Sequence, residues 1–220
     1  MNRAQLIFDF PAQQNRFGEE DFIFAAENKN AVDFLTKFFT QKSFINNSFP
    51  SFILKGEHAC GKTHLLHIFA HKFQAIFLTK EHLNSLDFFT ENNFYILENI
   101  ETIEEKTLLH TINSAIEAKA FLILSTDDFS CFTLIDLVSR LKNIFTIEIK
   151  NPSTDLVKIL LSQKLSQKQL RINGEVLEFL ASHLRPSYAV IDDTLKMIEF
   201  YCHENKKSFT LAEAKKLILG

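Results

Sequence analysis

The run Gly56-Glu57-His58-Ala59-Cys60-Gly61-Lys62-Thr63 fits G-x-x-x-x-G-K-[ST] without a gap, the spacing of a loop that wraps phosphate. Its glycines permit a tight backbone path, and successive amides with the start of the following helix, at Thr63 and His64, point at anionic oxygens. Lys62 can reach terminal phosphates, and the Thr63 hydroxyl is a ligand for Mg2+. The chemistry implied is binding of a nucleoside di- or triphosphate. Three further segments add to it. The apolar run Phe94 to Leu97 ends in Glu98 and Asn99, where a carboxylate can hold Mg2+ directly or through water. Leu122 to Asp128 carries Ser125, Thr126 and Asp127 to the end of another apolar run, and Leu137 to Leu141 carries Arg140 ahead of a last one.

These groups converge only if the strands that bear them run side by side. The apolar stretches Phe52 to Lys55, Ala75 to Thr79, Phe94 to Glu98, Phe121 to Ser125 and Ile144 to Ile149 read as strands buried on both faces. Helical periods at Asn28 to Thr40, Lys62 to Lys72, Ile103 to Ala118 and Phe132 to Arg140 alternate with them, the pattern of an α/β parallel sheet with crossover helices. After Asn151-Pro152 the strand pattern stops. Helices are expected at Thr154 to Ser166, Gly174 to His183, Ser187 to His203 and Leu211 to Leu219, which make a small all-helical region. The expected division is therefore an N-terminal tail and linker at 1–18, an α/β nucleotide-binding domain at 19–150 and a helical domain at 151–220.

The 220 residues, 46% hydrophobic, supply a sizeable core. The 24 Phe against three Tyr and no Trp read as core filling. A formal net charge of −3 with no basic block gives no long-range pull toward a polyanion. No export signal or membrane-length apolar run is seen, so a cytoplasmic protein with no membrane partner is expected. Cys60, Cys131 and Cys202 form no C-x-x-C pair and fit a reducing compartment. His64, His67 and His71 share one helix face, but no carboxylate or cysteine completes a metal set, and helix packing accounts for them.

The order of the four segments resembles the AAA+ family: Walker A at Gly56 to Thr63, Walker B at Ile96 to Asn99, sensor 1 at Asp127, an arginine finger at Arg140 and a helical lid. Within it, Asp21-Phe22-Ile23 followed by Asn28 and Ala31, and Ser139-Arg140 ahead of a strand, look most like the DnaA-related proteins of bacterial replication initiation. The resemblance implies ADP or ATP with Mg2+ as ligands, Thr63 and Glu98 as the metal's partners, and Phe22, Ile23 and Asn28 in the nucleotide site. Glu98 stands where Walker B usually has aspartate, and Asn99 replaces the second acid. A neutral amide cannot accept a proton from water, so slow intrinsic hydrolysis is expected. Ala189 stands where the lid's sensor 2 arginine is expected, with Arg185 nearby.

The chain ends at Gly220 after the lid, without the helix-turn-helix of a full initiator, and begins with Gln5-Leu6-Ile7-Phe8-Asp9-Phe10. This resembles the Q-x-x-[apolar]-x-F peptide that docks on the sliding clamp, with Gln5 offering an amide and Leu6, Phe8 and Phe10 filling an apolar pocket. The resemblance then implies a regulator that docks on the clamp and uses Arg140 on DnaA-bound ATP, meeting DNA indirectly through the clamp. The alternative is a self-assembling AAA+ ATPase that remodels or loads replication proteins, in which Arg140 completes a homo-oligomer. A P-loop kinase is disfavoured, since Arg171 and Arg185 are the sole arginines after Asn151.

Overall fold

A computed structural model of the chain describes residues 22–23, 25–40, 51–83 and 88–219. Five parallel strands, β1 (Ser51–Lys55), β2 (Ile76–Phe77), β3 (Phe94–Leu97), β4 (Phe121–Thr126) and β5 (Phe145–Glu148), form one sheet in the order β2-β3-β4-β1-β5. The β1–β4 register pairs Ser51 with Leu122 and Lys55 with Thr126, and β1–β5 pairs Phe52 with Phe145. Because every strand points the same way, the loops after β1, β3 and β4 leave from one rim.

Side chains alternate across each strand, so the sheet feeds two cores. Phe52, Leu54, Phe94, Ile96, Phe121 and Ile123 face α1 (Ala26–Thr40) and α2 (Lys62–Phe73). Ile53, Tyr95, Leu97, Leu122 and Leu124 face α4 (Glu105–Glu117) and α5 (Ile135–Asn143). The phenylalanines do fill the first core: Phe38 meets Phe52 edge-on at 4.7 Å, Phe94 stacks on Phe121 at 4.7 Å and Phe39 stacks on Phe73 at 4.7 Å. Each such ring removed from water stabilises the fold by about 1.5–3 kcal/mol.

The helices α6 (Thr154–Gln167), α7 (Gly174–His183), α8 (Tyr188–Asn205) and α9 (Leu211–Leu219) surround a third core of Leu156, Leu160, Leu161, Leu180, Ile191, Leu195 and Ile198. Ser153 opens α6 by accepting a hydrogen bond from the Leu156 amide at 3.3 Å. Lys164 and Asp192 pair at 2.9 Å across α6 and α8, and Lys168 pairs with Glu199. No helix among the described residues is long and apolar enough to cross a membrane.

Three of the departures from the sequence reading have a visible cause. The helix expected over Phe132 to Arg140 runs instead over Ile135–Asn143. The Glu105 carboxylate accepts the amides of Thr133 and Leu134 at 2.9 and 2.6 Å and the Thr133 hydroxyl at 2.9 Å, which holds 132–134 outside the helix. Strand β2 keeps two residues of the five expected, because Thr79 turns away to hydrogen-bond Glu81 and His82 at the start of a short α3 (Lys80–Leu83). Strand β3 stops at Leu97 because Asn99, at φ 51°, turns the chain into a one-turn 3-10 helix, Ile100–Thr102.

Candidate phosphate-binding site

The loop from Gly56 to Gly61 leaves the central strand β1 and delivers α2. The Gly56 amide donates to the Thr126 carbonyl at 3.2 Å, continuing the β1–β4 ladder by one bond. A Cβ on Gly56 would sit 2.6 Å from both the Cys60 Sγ and the Ile149 carbonyl, so no larger residue fits. Ala59 and Gly61 take left-handed conformations at φ 58° and 102°, turns that aim backbone amides into a concavity suited to an anion. The conformation is free for glycine but costs alanine about 1–2 kcal/mol. Cys60 is buried in the loop, and that burial raises its thiol pKa despite the attraction of Lys62.

Lys62 is the charge at the centre, with 6% of its surface exposed. Its ammonium donates to the Gly56 carbonyl at 2.6 Å, the Glu57 carbonyl at 3.1 Å and Asp127 Oδ1 at 2.6 Å. An ammonium has three protons, and each has an acceptor here. Asp127 arrives from the end of β4, and His58 Nδ1 lies 3.7 Å from its second oxygen. Next to it, Asp128 accepts the Ser130 amide at 3.2 Å and pairs with Lys55 at 3.5 Å. The Lys55 ammonium also lies 5.3 Å over the Phe129 ring. Hydrogen bonding from Ser130 and from the Phe129 and Ser130 amides, with Lys55 adding attraction, lowers the Asp128 carboxyl to about 2. Sequence reading missed this brace; an acid following Asp127 beside a strand-ending lysine is the signal that was there to find.

Glu98 follows β3 on the same rim, and its Oε1 is buried with no hydrogen-bond partner. A buried carboxylate oxygen left so is costly unless a cation or water meets it. With the Thr63 hydroxyl at the start of α2, the donor types present fit Mg2+, a cation that takes one or two carboxylates and keeps waters. Asn99 is exposed, and its backbone N–H donates to the buried Ser125 Oγ at 3.3 Å. Its left-handed backbone is one that asparagine tolerates better than most residues.

Of the further residues expected in the nucleotide site, Asn28 is buried, accepting the Ala25 amide at 3.0 Å and donating to the Ile23 carbonyl at 2.8 Å. Phe22 packs edge-on to His64 at 5.3 Å, and His67 stacks on Phe77 at 4.3 Å. Arg185 and Ala189 are both exposed, and the residue of α8 that meets the loop is Tyr188. Arg140 is not brought to this rim. It is exposed on α5 and lines a groove of about 340 Å3 with Leu109, Asn113, Asp136, Ser139 and Asn143, none of them from the phosphate loop. Gln5, Leu6, Phe8 and Phe10 lie outside the described residues.

No protein-family model matches the chain. It is 25% identical over 206 residues to the chromosomal replication initiator protein DnaA of Buchnera aphidicola subsp. Cinara cedri, covering 79% of this chain and 46% of that protein. The chain spans about half the length of the curated relatives it matches. Among solved structures, domain III of Thermotoga maritima DnaA superposes with a TM-score of 0.72 at 18% identity, covering 90% of this chain and 94% of that one. AMPPCP-bound DnaA from Aquifex aeolicus gives 0.63 at 17% identity, covering 84% and 67%. The five-stranded parallel sheet with its flanking helices therefore has the AAA+ fold of DnaA domain III, and the chain is DnaA-like in sequence.

Proposed function

We propose that the chain is a nucleotide-binding regulator of bacterial replication initiation, of the kind of Hda, a short DnaA homologue. In this reading the loop amides and Lys62 hold the phosphates of ADP or ATP, and Thr63 and Glu98 hold Mg2+. The metal would neutralise charge on the phosphate oxygens. His58 and Asp127 line the rim beside the terminal phosphate, and Phe22, Ile23 and Asn28 bound the site on the other side. The AMPPCP carried by the Aquifex DnaA supports a nucleoside phosphate as the ligand class.

The observation that carries the regulatory half is a separation. The phosphate loop and Glu98 occupy one rim, whereas Arg140 stands exposed on α5, in a groove to which no loop residue contributes. A guanidinium held outward, away from its own phosphate site, suits stabilisation of charge on a nucleotide bound by another molecule. Asn99 cannot take a proton from water, so the chain itself turns over slowly. Gln5, Leu6, Phe8 and Phe10 dock on the sliding clamp, which brings Arg140 to ATP-bound DnaA at replicating DNA. The test is hydrolysis of DnaA-bound ATP in the presence of clamp-loaded DNA. Wild-type chain should stimulate it and Arg140→Ala should not; equal stimulation by both removes the assignment.

A further inference from the structure

Helix α8 begins at Tyr188, after Ser187 in an extended conformation whose side chain makes no capping hydrogen bond. The first amides of a helix have no partner within it. Here the Tyr188 amide donates to the Ala59 carbonyl at 3.1 Å, so the phosphate loop itself caps the helix. The same residue meets the loop again: its Cε2 and Cδ2 lie 3.3 and 3.7 Å from where a Cβ on Gly61 would be. Near its phenol, Asn28 holds Ile23 and Ala25. Burial pushes that phenol up to about 12, so it stays a neutral hydroxyl. Behind it, Ile191, Leu195 and Ile198 fix α8 in the helical core.

One residue thus meets the strained turn at Ala59 through its backbone amide and the glycine that starts α2 through its ring. The next residue, Ala189, carries no polar group toward a ligand. The helical region is tied to the loop through the loop's own backbone, a bond indifferent to how many phosphates the ligand carries.

Resting on the nucleotide reading above, we propose that Tyr188 is a positioning residue that fixes the helical region on the phosphate loop. It governs how long a nucleotide is held without selecting diphosphate over triphosphate.

The test uses the full chain and fluorescent analogues of ADP and ATP with Mg2+, reading release rates together with hydrogen exchange at the amides of residues 57–61. Wild type should bind nucleotide measurably in the presence of Mg2+. Tyr188→Leu keeps apolar bulk against the helical core but loses the flat ring and the phenol. It should speed release of both nucleotides by a similar factor, about tenfold, and accelerate loop exchange. Tyr188→Phe keeps the ring and should recover most of the wild-type retention. If wild type binds neither nucleotide, the nucleotide reading fails and this inference with it. If wild type binds and Tyr188→Leu matches it in release and exchange, or alters one nucleotide alone, the inference fails by itself.

Discussion

Single atoms decide the phosphate loop. A methyl group on Gly56 meets a backbone carbonyl at 2.6 Å and a buried sulfur at the same distance. Gly56→Ala should therefore cost about 1–3 kcal/mol of stability and weaken nucleotide binding, read by thermal unfolding and by fluorescent-nucleotide titration. Lys62 was legible from its motif, but its partner was not: Asp127 is 65 positions away, and only the β1–β4 register brings it to 2.6 Å. Lys62→Ala should abolish measurable nucleotide uptake while leaving the circular dichroism spectrum of the sheet and helices in place. Asp128 gives a pH effect of definite sign. Its folded pKa, about 2, lies below the ordinary 3.8. Its contribution to stability is complete above the unfolded value and fades as pH falls through the folded one. Asp128→Asn should flatten the loss of stability between about pH 4 and pH 2, as measured by urea unfolding across that window.

At the level of elements, periodicity found every strand and eight of the nine helices of the described residues, because apolar runs buried on both faces and amphipathic turns both leave clear patterns. The start of α5 was missed for a physical reason. Apolar Phe132 and Leu134 extend the helical pattern backwards, but a carboxylate from another helix captures the amides of Thr133 and Leu134. Pattern reading has no access to such a distant cap. Glu105 has its pKa lowered chiefly by the Leu134 amide, and Glu105→Ala should lower the melting temperature and loosen the start of α5, visible as faster exchange at 133–137. Leu137 is fully buried in the second core, and Leu137→Ala should cost about 2–5 kcal/mol by chemical denaturation. The departure at Asn99 was legible as a residue type, and only the backbone adds its second meaning, a left-handed turn that ends β3.

Taken whole, the molecule presents two chemically distinct faces, a rim built by parallel strands and a flank built by α5. The fold and the phosphate loop were readable in one dimension because strand, loop and helix are contiguous. The flank was readable only as an isolated arginine, since its groove draws Leu109 and Asn113 from α4 and the rest from α5. A clamp pull-down gives the molecular-scale prediction for the N-terminal peptide. The intact chain should be retained, and Gln5→Ala combined with Phe10→Ala should lose retention without changing nucleotide affinity.

The shared direction of the strands has a historical implication. Substitutions at the rim, such as an amide where an acid is usual, leave the arginine's helix untouched, since the two are carried by different segments joined through a rigid sheet. On the function proposed above, a lineage built on this plan would be free to let its own turnover decay while keeping the means to act on a neighbour, and the two traits could be gained or lost one at a time.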